Sequence, residues 1–108
     1  MQAIKEVTVR ELKRMMDEQK DFQLIDVREP DEYEFCNIGG ELIPMGQLVN
    51  SIDRISKEKM TVFQCRSGVR SARAVSALQQ RFGFMNLYNL TGGILAWSDE
   101  IDPEVPKY

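Results

Sequence analysis

The 108-residue chain contains no histidine. Catalytic couples in which an imidazole activates a serine or a cysteine are therefore excluded, and papain-like hydrolysis is excluded with them. The chain has only two cysteines, Cys36 and Cys65, and their separation fits neither a metal-binding spacing nor a C-x-x-C redox pair. A nucleophilic thiol in this chain would have to be activated by backbone dipoles and cations.

Long apolar runs are also missing. No run approaches the ~18 residues needed to span a bilayer, and residues 1–6 lack the apolar stretch of a signal peptide, so we expect a cytoplasmic protein without a membrane partner. A net charge of −3 gives no reason to expect nucleic-acid binding. Hydrophobic content of 43% and the absence of repeats or linkers predict one globular domain over residues 1–108.

A strand-to-helix junction is predicted around Cys65. Residues 60–64 form a β-branched and aromatic run typical of a buried strand. Apolar residues then recur at helical spacing, which predicts a helix beginning near Ser71: Ala72, Val75, Leu78 and Phe82. Unpaired N–H groups and the positive end of the helix dipole converge on such a junction, and a thiolate there is favoured over a thiol.

The residues after Cys65 strengthen this interpretation. Gly68 allows a positive φ, so that successive N–H groups can form an anion-binding nest, while Arg66, Arg70 and Arg73 add positive charge. We therefore interpret Cys65 as a catalytic nucleophile, the alternative being a small buried apolar side chain. The predicted binding loop comprises Arg66, Ser67, Gly68, Val69, Arg70 and Ser71.

The remaining elements follow from capping signals and periodicity. In chain order we predict a helix over 8–19, a strand over 22–27, a helix beginning at Pro30, a short strand over 42–44, a helix over 47–55, a strand over 86–89, a last helix begun by Ile94, Leu95 and Trp97, and an extended tail over 102–108.

Supporting residues are expected where the 22–27 strand ends. Ligand loops collect at the carboxyl edge of an open parallel sheet, so Asp26 is predicted to accept hydrogen bonds from the Cys65 loop. Arg28 is predicted to pair with an acidic neighbour such as Glu32. Cys36 is interpreted as a buried apolar side chain, with a resolving thiol that relays sulfur as the alternative.

Three segments, 24–33, 65–71 and 91–97, resemble in sequence and order the signatures of a single-domain rhodanese. The Cys36–Pro44 stretch lacks the Gly-His-Ile-Pro found in many rhodaneses and is similar to the rhodanese domain of molybdopterin-synthase sulfurylases. The resemblance implies a three-layer α/β/α fold around a central, mostly parallel sheet of about five short strands.

The same resemblance implies a sulfurtransferase in which Cys65 carries a sulfane sulfur as a persulfide. The expected donor is a small anion such as thiosulfate, attracted by Arg66 and Arg70, or a partner protein that donates or accepts sulfur. Neither a metal nor an organic cofactor is implied. Two alternatives remain: a phosphatase or arsenate reductase of the Cys-x5-Arg type, although Ser71 occupies the arginine position, and a non-catalytic docking module.

Overall fold

A computed structural model describes residues 3–108. Its centre is a five-stranded sheet in the order β1-β5-β4-β2-β3, and every pairing is parallel. The strands are β1 (Lys5–Val7), β2 (Phe22–Asp26), β3 (Glu41–Leu42), β4 (Met60–Gln64) and β5 (Leu87–Leu90). Asp26 pairs in register with Gln64, so β2 and β4 end side by side and Cys65 follows directly at that edge.

In the part of the chain that the structure describes, three α-helices and two 3₁₀ segments connect the strands, and a fourth α-helix follows β5. They are α1 (Val9–Asp17), α2 (Pro30–Phe35), α3 (Val69–Phe82) and α4 (Gly93–Glu100), with the 3₁₀ segments at Met45–Gln47 and Val49–Arg54. Within residues 3–108, none of the helices combines the length and the apolar character needed to cross a membrane.

Two apolar clusters cover the two faces of the sheet, because side chains alternate along each strand. On one face, Val62 packs with Leu12 of α1 and Trp97 of α4. On the other, Phe63 packs with Val75 of α3 and with Leu48 between the 3₁₀ segments. The predicted three-layer α/β/α architecture with a parallel sheet is confirmed.

Local sequence signals set several element boundaries. Thr8 caps α1 in the predicted capping box with Glu11, and Pro30 occupies the first turn of α2. Gly83 ends α3 in the left-handed conformation, with φ +73°, as a C-terminal glycine should.

The predicted helix over 47–55 is wrong. The segment forms two short 3₁₀ pieces, and the backbone leaves helical geometry at Ser51 (φ −118°, ψ 21°). Leu48 and Ile55 are buried as the spacing suggested. Asn50, Ser51 and Asp53 favour turns over helix interiors, so the chain meets the core at those two anchors without a regular helix.

Other boundaries also differ from the predictions. The sequence analysis missed β1, the helix predicted near Ser71 begins at Val69, and the short strand predicted over 42–44 is Glu41–Leu42. The strand predicted over 86–89 is shifted by one residue to Leu87–Leu90. The tail is not extended, because Asp102 accepts hydrogen bonds from the N–H groups of Val105 and Glu104 and folds it into a turn.

Candidate active site

Cys65 lies between the end of β4 and the start of α3, as predicted. Gly68 has φ +98° and forms the N-cap of α3, so the chain turns back over the thiol. The Cys65 Sγ accepts hydrogen bonds from the N–H groups of Gly68 (3.1 Å) and Ser71 (3.4 Å) and from the Ser71 hydroxyl (3.3 Å). Two N–H groups and one hydroxyl therefore face one sulfur atom.

The first turn of α4 fixes the opposite side of this loop. The N–H groups of Ile94 and Leu95 donate to the carbonyl oxygens of Cys65 (2.9 Å) and Arg66 (3.1 Å). This close approach requires a glycine, since a Cβ on Gly93 would lie 2.5 Å from both carbonyl oxygens. Two carbonyls of the loop thus bond to a neighbouring helix, while N–H groups that follow them face the sulfur.

A buried polar network lies behind Ser71. Its Oγ is 2.5 Å from Asn89 Oδ1, and the Asn89 amide nitrogen donates to the Gly68 carbonyl (3.2 Å) and to the Glu6 carboxylate (3.2 Å). Because the Glu6 carboxylate and the Gly68 carbonyl are acceptors, the amide nitrogen must face them and Oδ1 faces the Ser71 hydroxyl, whose single proton can be donated either to Oδ1 or to the Cys65 Sγ. The sequence analysis missed this role of Asn89, although a polar residue in a buried strand needs such partners.

The thiol is less accessible than its position at the loop suggested. Cys65 is only 1% exposed and also contacts the apolar cluster under α3. The loop residues above it are open, since Ser67 is exposed and Val69 is 56% exposed. Two surface clefts of about 230 Å³ each lie at Phe84 and Met85, where β5 begins, which is the opposite end of the sheet.

Asp26 and Arg28 form an ion pair whose side chains are completely buried, with Nη2 2.7 Å from Oδ2. The predicted role of Asp26 is therefore wrong, because its carboxylate binds Arg28 rather than the Cys65 loop. Arg28 does pair with an acidic neighbour, but that neighbour is Asp26 and not Glu32. Residues two apart in extended chain point to the same side, which brings this pair together. Arg28 also donates to the Cys36 carbonyl (2.7 Å).

Glu32 instead binds Arg70 of the loop. The pair is bidentate, with N–O distances of 2.7 and 2.8 Å, and the Tyr108 hydroxyl donates a third hydrogen bond to Glu32 at 2.7 Å. The Arg70 hydrogen bonds lower the pKa of Glu32 from 4.5 to about 2, and Glu32 raises the pKa of Arg70. Both groups therefore stay charged at neutral pH.

Arg66 has a different partner from Arg70. Its guanidinium lies over the Tyr108 ring, 5.1 Å from the centroid, and the Tyr108 hydroxyl accepts a hydrogen bond from Arg28 at 2.9 Å. Tyr108 thus contacts three charged groups around the loop. No sequence signal identified Tyr108, since its contacts join residues far apart in the chain. Arg73, predicted to add charge, is exposed on α3.

A family model for the rhodanese-like domain matches residues 8–100, which include Cys65 and its loop. The chain belongs to the rhodanese-like family. This confirms the family that the three sequence segments resembled.

Individual relatives agree with this assignment. The chain is 35% identical to the putative sulfurtransferase YtwF of Bacillus subtilis, with 94% of this chain and 97% of YtwF covered. It is 38% identical to the probable adenylyltransferase/sulfurtransferase MoeZ of Mycobacterium tuberculosis, covering 94% of this chain but only 26% of MoeZ. A rhodanese-like domain protein from Staphylococcus aureus superposes with a TM-score of 0.81 at 31% identity, covering 97% of this chain and 99% of that one.

The second cysteine of this rhodanese-like domain lies against its tail. Cys36 is buried, as predicted, and its Sγ donates to the Pro106 carbonyl at 3.7 Å. Cys65, in contrast, faces two backbone N–H groups and a hydroxyl. Such a set of donors can stabilise a negative charge on sulfur without a histidine.

Proposed function

We propose that this rhodanese-like domain is a sulfurtransferase that carries sulfane sulfur on Cys65 as a persulfide. The observation that carries the proposal is the convergence of the Gly68 N–H, the Ser71 N–H and the Ser71 hydroxyl on the Cys65 Sγ. The donors are held in place before any reaction, because α4 and Asn89 fix the loop from behind. Preorganised donors of this kind stabilise charge that develops during a reaction.

The proposed cycle has two displacement steps and needs no external oxidant. The Cys65 thiolate attacks the outer sulfur of thiosulfate, a bond between Cys65 Sγ and that sulfur forms, and sulfite leaves with the electron pair of the broken S–S bond. A thiophilic acceptor such as cyanide or a thiolate then attacks the outer sulfur of the persulfide. The Cys65 thiolate leaves and is regenerated.

The roles of the loop residues follow from their positions. Gly68 and Ser71 supply N–H groups, while Arg66 supplies positive charge for an anionic donor or for the acidic surface of a donor protein. Arg70 contributes less, because the Glu32 carboxylate balances its charge. Asp26 and Arg28 support the site from beneath, since Arg28 links β2 to the Cys36 carbonyl and to Tyr108.

Phosphatase chemistry is the less favoured alternative. A Cys-x5-Arg loop needs an arginine at position 71, but that position holds Ser71, which binds the sulfur. The neighbouring Arg70 is already bound by the Glu32 carboxylate, so it is not free to clamp a phosphate. Hydrolysis of a phosphotyrosine analogue faster than sulfur transfer would reverse this ranking.

Mass spectrometry of the intact protein tests the proposal. Incubation with thiosulfate should add the mass of one sulfur atom, and cyanide or a thiol should remove it. Cys65→Ser should abolish the shift, because no nucleophile remains in the loop. Cys36→Ser is the matched control and should still gain one sulfur atom with thiosulfate and lose it with cyanide or a thiol. A mass increase that persists in Cys65→Ser would refute the proposal.

The donor is tested by comparing rates. Sulfur loading from thiosulfate and from the persulfide of a cysteine desulfurase should distinguish a free-standing enzyme from a relay between proteins. Failure to load from either donor would instead support the docking module. If Cys36→Ser loads normally but no longer transfers sulfur to an acceptor, Cys36 is the resolving thiol.

A further inference from the structure

The Glu32–Arg70 pair changes the charge that a sulfur donor meets. The Glu32 side chain is only 17% exposed. Its carboxylate accepts hydrogen bonds from Nη1 and Nη2 of Arg70, from the Tyr108 hydroxyl and from the Glu29 N–H. Arg70 is 34% exposed, so its charge is partly screened by water and partly balanced by the carboxylate. Arg70, which the sequence alone would assign to anion binding, is therefore largely neutralised by the Glu32 carboxylate.

Among the charged residues that surround Tyr108 and the Cys65 loop, Arg66 is the arginine whose charge no carboxylate balances in the described residues. Asp26 cancels the charge of Arg28 in the buried pair, and Glu32 cancels that of Arg70. Arg66 contacts the Tyr108 ring and forms no ion pair with a carboxylate in the part of the chain that the structure describes. The net charge of these five groups is +1, and it would be +2 without the Glu32 carboxylate.

We propose that Glu32 is a specificity-determining residue, which disfavours dianionic donors such as thiosulfate relative to singly charged sulfane donors. This inference rests on the proposed function, since it concerns which donor loads Cys65. The electrostatic effect of Glu32 on a donor is proportional to the charge of that donor. Removing the carboxylate should therefore favour a dianion more than a monoanion.

Two small donors of different charge test this proposal in the full chain. Thiosulfate is a dianion near neutral pH, and methanethiosulfonate is a monoanion that transfers the same outer sulfur and releases a sulfinate. Loading of Cys65 is followed by intact mass, and the second-order rate constant is measured for each donor. In Glu32→Gln we expect an increase of about ten-fold for thiosulfate and about three-fold for methanethiosulfonate.

The readout is the ratio of the two rate constants, because a structural disturbance would move both together. The ratio should rise about three-fold in Glu32→Gln, and the increase should shrink at high salt. Glu58→Gln is the matched control: it makes the same change in net charge, but Glu58 is exposed in the loop before β4, at the other end of the sheet. Its ratio should equal that of the wild type.

Arg70→Gln provides a second test, which can be used even if Glu32→Gln fails to fold. It leaves Glu32 unbalanced, and the ratio should fall by about three-fold. An unchanged ratio in Glu32→Gln, or an equal loss with both donors, overturns the inference, since Glu32 would then only position Arg70. A wild-type chain that loads from neither donor overturns the proposed function itself.

Discussion

Replacing Gly93 by alanine tests whether α4 holds the Cys65 loop in its reactive geometry. Gly93 has φ +59°, and an added Cβ would lie 2.5 Å from the carbonyl oxygens of Cys65 and Arg66. The same two oxygens accept the first hydrogen bonds from α4. The new methyl group therefore forces apart two segments that the fold binds together.

Three contributions add up to the loss of unfolding free energy expected for Gly93→Ala. A left-handed conformation costs alanine about 1 kcal/mol relative to glycine. Overpacking against backbone that cannot rotate away adds about 1–3 kcal/mol. Weakening the hydrogen bonds from Ile94 and Leu95 adds about 1 kcal/mol. Gly93→Ala should thus lower the free energy of unfolding by about 3–5 kcal/mol, a large part of the stability of a typical domain.

Urea denaturation measures this loss, and Gly83→Ala is the matched control. Gly83 also has a positive φ, +73°, but no atom lies within 4 Å of an added Cβ, so only the conformational cost of about 1 kcal/mol applies. Sulfur loading of the folded fraction should be slowed in Gly93→Ala and unchanged in Gly83→Ala. The reasoning is refuted if the two variants have the same stability and load equally fast.

Two further predictions concern the charged residues around the site. Arg28→Met should lower the unfolding free energy by about 3–5 kcal/mol, because Asp26 is left as a buried unpaired charge, and Asp26→Leu/Arg28→Met should recover much of it in the same urea assay. Since the pKa of Glu32 is lowered to about 2, its stabilising effect is complete above pH 4.5 and is lost as the pH falls toward 2. Because water partly screens the pair, stability curves of the wild type and Glu32→Gln should converge by about 1–2 kcal/mol over that range, and parallel curves would contradict the assignment.

Elements with strong local signals could be predicted from the sequence. The capping box at Thr8, Pro30 in the first turn of α2 and Gly83 after α3 each act within a few residues, and each is confirmed. The β1 strand was missed because it has three residues, two of them charged and exposed, and only Val7 is buried. A short edge strand of this kind carries almost no periodicity.

The site shows the same division between local and distant contacts. The Cys65 loop could be predicted because its strand, glycine and helix are contiguous in the chain. The choice of partner for Glu32 could not, because Arg70 is 38 residues away and Tyr108 is 76 residues away. Arg28 binds Asp26 instead of Glu32, because residues two apart in extended chain point to the same side.

The place of β5 in the sheet has a consequence for how the protein is made. Of the five strands of this sheet, β5 is the last to leave the ribosome, yet it lies between β1 and β4. Until it emerges, β1 has no neighbour and β4 keeps an unpaired edge, which leaves the nascent chain open to aggregation. Ser71 likewise lacks Asn89 until then, so the donors around Cys65 are fixed in place only after β5 has been made.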